Sequence, residues 1–413
     1  MPDLRGHQRR ATTSDRPGLG GVVTPACRLS QGLHHARLTP YEEGPPVRLH
    51  KAGEPGRRMA TVRRIIGVIG VLAVVLGTAA GPVVAGEPDA PGARVIQMQT
   101  AFNPGLPGAG EGVRAFTKTL KHTSGGALAI RIVEPGRIVP TKDMLDGIVA
   151  GDLEAGFTWA GYAVAKAPVF GLFGTVPFGP GPSEMTSWLL DGNGGKFHHD
   201  AYDRLGVAGI PCGVQGSKGG GWFRADLNTP EDFKGVKLRY GKISGDVITR
   251  MGATLVPLAA GDFFYQLQQG KVDGGEMSTP AMDAALGFDK LGLPYYLPGW
   301  QQPSAVIDFL MRKDKWEALP KAQRAQIETA CRANIAWMLS RSPHTQSLAL
   351  EKLRASGVVI KQWSPSILKA FRKNADTVLK ERAEIDAEFA AAWADQKKFV
   401  AQGLDWRTMS HLP

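Results

Sequence analysis

The chain has 413 residues, 43% hydrophobic and 21% charged, a globular composition long enough for two domains with sizeable cores. Its formal net charge of +11 would suggest nucleic acid or an anionic membrane as a partner if it were spread over the folded part. It is not: residues 1–58 hold ten Lys/Arg and five Asp/Glu, Arg63 and Arg64 add two more cations, and the remainder carries roughly +4, which argues against nucleic acid.

Residues 1–58 lack apolar periodicity and are rich in Gly, Pro, Arg and His, a composition that buries no core. They read as an over-extended start or a disordered extension. At Met59 the pattern changes. Arg63 and Arg64 form a positive n-region, 65–76 is an apolar run, and Val83-Val84-Ala85 is a small-residue cleavage site before Gly86. Residues 59–85 are therefore expected to be a signal peptide on a periplasmic product, with translation starting at Met59. The alternative is a retained anchor, because the apolar run with its glycines reaches Ala85. Three cysteines are too few for a disulfide framework. Cys27 lies in the head. Cys212 and Cys331 pair only if the fold brings them together, and buried unpaired thiols are the simpler expectation.

In the mature part, 94–102 reads as a strand. A helix over 110–123 follows, with Val113, Phe116 and Leu120 at helical spacing. A second strand over 127–133 places Leu128, Ile130 and Ile132 on one face. A helix from Pro140-Thr141 carries Met144, Leu145 and Ile148 and closes at Gly151, and 155–158 is a third strand. Strands alternating with helices indicate an α/β domain with a mostly parallel sheet. A second such unit begins at 222–224. Thr229-Pro230 is an N-cap with proline at the first helical position. Strands at 236–239 and 254–256 flank a helix with Val247, Ile248 and Met251. Asp262 is expected to cap a helix to Gln269 with Phe264 and Leu267 facing inward. A last strand ends at Glu276. Helix returns after Pro320 with Ile327, Cys331, Ile335 and Leu339 in register. The stripe from Ile367 to Phe399 predicts about ten turns of helix over 365–402. Its length suggests either core packing within one chain or contact with a partner chain.

Several strings in this order resemble the DctP-type binding proteins of TRAP transporters. They are Gly219-Gly-Gly-Trp-Phe-Arg224, Thr229-Pro-Glu-Asp-Phe-Lys-Gly-Val-Lys-Leu-Arg239, the 260–276 segment ending in Gly274-Gly275-Glu276, Tyr295-Tyr-Leu-Pro-Gly-Trp300 and Ala318-Leu-Pro-Lys321. The resemblance covers about residues 94–400 and is strongest to the branch that binds 2-oxo acids and related monocarboxylates. It implies a two-lobed periplasmic binding protein fold of α/β class, with a hinge and a long C-terminal bracing helix. Lobe I is expected over 94–214 and 303–345, lobe II over 215–302, and C-terminal helices over 346–413. The implied partners are a small organic acid, TRAP membrane permease subunits and, from the branch, a second copy of the chain as a homodimer. No catalysis is implied.

By matching position, Arg239 inherits the role of binding the ligand carboxylate. A guanidinium suits it, because two parallel N–H donors meet a carboxylate in plane. In the 2-oxo acid branch a metal cation bridges ligand and protein. Its ligands resemble a Gln before Gly-Gly-Trp, a Glu followed by Trp, and a Glu after Pro-Gly-Trp. Here those positions hold Lys218, Glu276 followed by Met277, and Gln302. One neutral ligand has become cationic and one anionic ligand neutral. The expectation is that the Lys218 ammonium replaces the cation and no cofactor is needed. If the alignment slips in the Gly-rich segment, Gln215 takes that place and sodium or calcium stays. Aromatic walls are expected from Phe102, Trp159 and Tyr162 after strand ends, and from Trp222 and Trp300 beside the motifs. Two rival functions use the same residues: a Schiff-base or acid/base enzyme on 2-oxo acids built on Lys218, and a membrane-anchored ligand sensor. The adjacent His198-His199 pair does not suit a shared metal on one helix face.

Overall fold

The computed structural model describes residues 92–410. The expected 1–58 extension, the expected 59–85 signal peptide and Cys27 lie outside the described residues. In chain order the strands are β1 (Arg94–Thr100), β2 (Leu128–Val133), β3 (Ala155–Trp159), β4 (Val207–Gln215), β5 (Gly221–Phe223), β6 (Lys237–Arg239), β7 (Thr254–Leu255), β8 (Gly274–Gly275), β9 (Tyr295–Leu297), β10 (Ala305–Arg312) and β11 (Ile360–Gln362).

They form two sheets. The first has the order β2-β1-β3-β10-β4 and the second β11-β9-β5-β8-β6-β7. In the first, β1 pairs in parallel with β2 and β3, whereas β10 is antiparallel to β3 and β4. In the second, β6 is parallel to β7 and β8 and β11 to β9, whereas β5 is antiparallel to β8 and β9. The sheets are thus mixed rather than mostly parallel. The reason is the path of the chain. It leaves the first sheet through β4, enters the second at β5, departs from it at β9 and returns through β10, so outgoing and returning strands run in opposite directions. The two crossings, 216–220 and 298–304, lie side by side, with Lys218 N donating to Gln302 O at 3.2 Å.

The local patterns fold as their periodicity requires. Val113, Phe116 and Leu120 are buried along the helix Ala109–Thr123, and Met144, Leu145 and Ile148 along Met144–Ala150. In Ala260–Gln268 the inward pair is Phe263 and Leu267, and the N-cap is Ala259 rather than Asp262. The helix starts three residues earlier than expected, and Phe263 takes the buried position while Phe264 is half-buried.

The brace between the lobes is Lys321–Ala355, which runs through Pro343 and past residue 345 without a break. On the first-sheet side it packs on β4 and Ala109–Thr123, with Asn334 Nδ2 donating to Cys212 O at 2.6 Å. On the second-sheet side it packs on Pro280–Ala285, where Gln346 Oε1 accepts from Ala281 N at 2.9 Å. Cys212 of β4 and Cys331 of this helix are joined by a disulfide, which corrects the expectation of unpaired thiols. Both are fully buried. The packing of the helix flat on β4 brings together two residues 119 apart.

The expected ten-turn helix is two helices, Pro365–Ile385 and Ala387–Ser410. Asp386 breaks them apart: its backbone is extended and its Oδ1 accepts from Phe389 N at 2.7 Å, an N-cap for the second helix. Pro365–Ile385 packs on Lys242–Arg250 beside the second sheet, and Ala387–Ser410 on helices beside the first. Ile367, Phe371, Ala375, Phe389 and Trp393 are buried within the chain, whereas Leu404, Trp406 and Met409 are exposed. Among the described residues, no helix is long and apolar enough to cross a membrane.

Candidate ligand-binding site

The site forms where β6, β8 and the first crossing meet. Arg239 ends β6, and its register partner on β8 is Gly275. Gly275 has φ +151, and a Cβ there would fall 2.3 Å from Arg239 O. Only glycine allows so close an approach, and it delivers the next residue, Glu276, against the guanidinium. Gly275→Ala is therefore expected to lower stability by about 1–3 kcal/mol or more, from overpacking and backbone strain together. Thermal unfolding of the variant checks this; an unchanged midpoint would mean that β8 can move away from β6 freely.

Glu276 is the hub. Its Oε1 accepts from Arg239 Nη1 at 3.0 Å and its Oε2 lies 2.8 Å from Lys218 Nζ. Arg239 Nη1 also donates to Glu276 O at 2.6 Å, and Glu276 N to Arg239 O at 3.1 Å. The Glu276 side chain is almost fully buried, and Lys218 and Arg239 are mostly so. Burial pushes the Glu276 carboxyl up, but Lys218 and Arg239 outweigh it and hold the group below the usual carboxylate range. Two cations on one carboxylate leave a net charge of +1. Both contacts from Arg239 use Nη1, so its Nε and Nη2 make no hydrogen bond among the described residues. The ammonium has donors to spare beyond its one bond to Glu276.

From the other sheet, Trp159 at the end of β3 faces this cluster, with Lys218 Nζ 5.8 Å from its ring centroid. Tyr162 stands edge-on to Trp159 at 5.1 Å. Its phenol is pushed up by burial and pulled back by Arg239, which places it within reach of the guanidinium's field although its surface is 39% exposed. Phe263 lies beneath Arg239, at 5.7 Å. Lys218, Arg239, Glu276, Trp159 and Tyr162 thus converge across the two lobes, and Gln302 joins them through its carbonyl.

The other expected walls lie elsewhere. Trp222 is fully buried, stacked on Tyr295 at 4.3 Å, with Nε1 donating to Asp283 Oδ2 at 2.9 Å. Trp300 is buried in a stack with Phe371 at 4.1 Å. Phe102 packs edge-on to Phe157 in the first-sheet core, and Met277 is half-buried against the Trp222 cluster. Gln215, the alternative to Lys218, points its amide at Ser278 Oγ, 3.5 Å away. His198 is a core residue, 2.9 Å from Asp308 Oδ1, while Tyr202 donates to Oδ2 at 2.7 Å. Phe263 and Asp283 escaped the sequence reading; only the position of Phe263 inside a family-like string could have pointed to it.

Two α/β lobes joined by paired crossings and a bracing helix, with a charged and aromatic cluster between them, define a solute-binding protein. Residues 107–385 match the bacterial extracellular solute-binding protein family 7, DctP, and the chain belongs to this family. A monocarboxylate 2-oxoacid-binding periplasmic protein of Nostoc sp. is 30% identical over 302 residues, 73% of this chain and 83% of the relative. A TRAP transporter solute-binding protein of Bordetella bronchiseptica has a TM-score of 0.73 at 27% identity, over 77% of this chain and 94% of that one. It was solved as a mixed-occupancy dimer with copurified calcium and picolinate in the active site of the occupied copy. A TRAP periplasmic solute-binding protein of Pseudoalteromonas atlantica, with bound sodium and pyruvate, has a TM-score of 0.72 at 27% identity, over 77% of this chain and 97% of that one. Like them, this chain is an extracytoplasmic solute-binding protein of the TRAP type.

Proposed function

We propose that the protein captures a small monocarboxylate, a 2-oxo acid or a close relative, between its lobes and hands it to a TRAP permease without chemical change. The observation that carries this reading is the Arg239–Glu276–Lys218 cluster facing Trp159 and Tyr162. Arg239 meets the carboxylate with its remaining N–H donors. Lys218 donates to the neighbouring oxo or hydroxyl oxygen. Trp159 and Tyr162 cover the other side, so a ligand touching both lobes favours the closed arrangement. Export through the 59–85 signal peptide to the periplasm belongs to the same reading. So does pairing of two copies, which would cover the exposed Leu404, Trp406 and Met409.

The calcium or sodium of the relatives does not fit the residues present. Calcium takes 6–8 oxygen ligands and is strongly repelled by neighbouring cations. Here the one carboxylate of the cluster already carries an ammonium and a guanidinium. Among the described residues, no three His, Cys, Asp or Glu side chains are grouped to hold a metal ion. Lys218 takes the cation's place in this proposal.

A thermal-shift and calorimetric screen of small mono- and dicarboxylates tests it, with and without calcium, sodium and chelator, after removal of copurified ligand. Pyruvate or a similar acid is expected to stabilise the wild type equally under all these conditions. Lys218→Ala is expected to lose roughly tenfold or more in affinity, the size of a hydrogen bond to a charged group. Binding that disappears with chelator, or a metal ion retained unchanged in Lys218→Ala, would overturn the metal-free assignment.

A further inference from the structure

Asp283 lies beside the segments that carry Lys218 and Glu276, outside the proposed ligand contacts. It sits in the short helix Pro280–Ala285 and is fully buried. Its Oδ1 accepts from Ser278 N at 2.9 Å and its Oδ2 from Trp222 Nε1 at 2.9 Å. Ser278 follows Glu276 by two residues, and Trp222 lies on β5 just past the crossing that carries Lys218. The two segments are tied a second time, where Gly219 N donates to Ser278 O at 2.9 Å. One buried carboxylate therefore closes a ring of bonds holding the Lys218 segment against the Glu276 segment.

We propose that Asp283 is a positioning residue of the cleft, and that its protonation tunes how strongly the cleft holds an anion; this rests on the carboxylate-binding reading above. The charged groups it faces are Lys218 and Glu276. The Tyr295 phenol on β9 also neighbours it and is pushed up by burial and by Asp283 itself. From the bracing helix the neutral Gln346 amide meets this short helix, and from the turn Phe288–Leu291 the Phe288 ring meets Trp222. Burial, with a smaller push from Glu276, raises the Asp283 carboxyl to about 7 against the pull of the Trp222 and Ser278 hydrogen bonds and of Lys218. The sign follows from charge. With Asp283 ionised, Lys218, Arg239, Glu276 and Asp283 sum to zero. With Asp283 neutral they sum to +1. A monocarboxylate, ionised throughout this range, is held more tightly as pH falls through the transition, and its binding takes up protons.

Asp283→Asn is uncharged at every pH, but its amide nitrogen cannot accept the N–H that the second carboxylate oxygen takes, so the variant removes the titration together with one bond of the ring. Pyruvate titrations of the full chain between about pH 6 and about pH 8 should show wild-type affinity falling on the order of fivefold toward high pH, the scale of one unit charge acting within a protein. Asp283→Asn should show little pH dependence over the same range. Trp222→Phe removes a bond that favours the ionised form and should move the transition to higher pH. Parallel pH profiles in wild type and Asp283→Asn, or a transition unmoved by Trp222→Phe, would overturn the inference. If no carboxylate binds the wild type, the carboxylate reading fails on its own, and the ligand-free protein decides the rest. The Lys218 ammonium resonance should then follow the Asp283 transition in wild type and lose it in Asp283→Asn. A Lys218 resonance indifferent to that transition overturns the inference.

Discussion

Arg239→Ala is expected to weaken pyruvate binding by about 2–5 kcal/mol, roughly 30-fold to several thousand-fold, the range for truncating one partner of a buried, hydrogen-bonded charge pair. Two effects act together. The variant loses the planar donors for the ligand carboxylate, and it leaves Glu276 with Lys218 alone, which drops the site from +1 to zero. Arg239→Lys should fall between the two proteins, because it keeps the charge and loses the fork. Calorimetry at fixed salt measures both; an affinity within twofold of wild type in Arg239→Ala would remove Arg239 from the site. The same change alters the acid limb of stability. Glu276 is held below its ordinary value, so its stabilising contribution is complete above that value and is lost as pH falls through its depressed folded value. Removing one of the two cations raises the folded value, so acid unfolding of Arg239→Ala should begin at higher pH than in the wild type.

The charged half of the candidate site was legible in sequence because its residues sit in or directly beside ordered strings. Arg239 closes one, Lys218 stands just before another, and Glu276 ends a third. Trp159 and Tyr162 were legible from the rule that ligands gather beyond strand ends. The tryptophans beside the motifs were not. Trp222 lies on β5, a strand with neighbours on both sides, where it faces Gly275 and Tyr295 rather than a cleft. In a covered strand, alternation does not separate core from site. Trp300 is drawn into the Phe371 stack by a helix some seventy residues further on. Asp283 gains its role from a bond to a residue 61 positions away, which no local pattern encodes. The break at Asp386 was masked differently. Pro365–Ile385 is amphipathic and Phe389, Ala392 and Trp393 carry its buried stripe on across the break, so the only local signal was an aspartate in a capping position.

The disulfide gives the largest expected effect on stability. Cys212 and Cys331 enclose a loop with a sequence separation of 119. Closing a loop of that size in the unfolded chain corresponds to about 4–5 kcal/mol in the chain-entropy account, with measured losses of native disulfides typically 2–5 kcal/mol. The double variant Cys212→Ala/Cys331→Ala should therefore unfold roughly 3–8 °C below wild type by calorimetry. The location sharpens the expectation. The bond fastens the bracing helix to β4, whose end leads straight into the crossing that carries Lys218. Yet neither sulfur touches the site, and Asn334 still binds the Cys212 carbonyl in the variant. Pyruvate affinity well below the unfolding temperature should then stay within about twofold of wild type. Both sulfurs are buried, so reductant alone should act on the native protein only as fast as it opens, and the wild-type midpoint should fall in reductant only when unfolding itself exposes the bond. A shift below about 2 °C in the double variant would mean that the pair adds little constraint beyond what the helix packing on β4 already imposes. Loss of binding with an unchanged midpoint would instead assign the bond to the hinge, holding the crossing in the geometry that lets Lys218 reach Glu276.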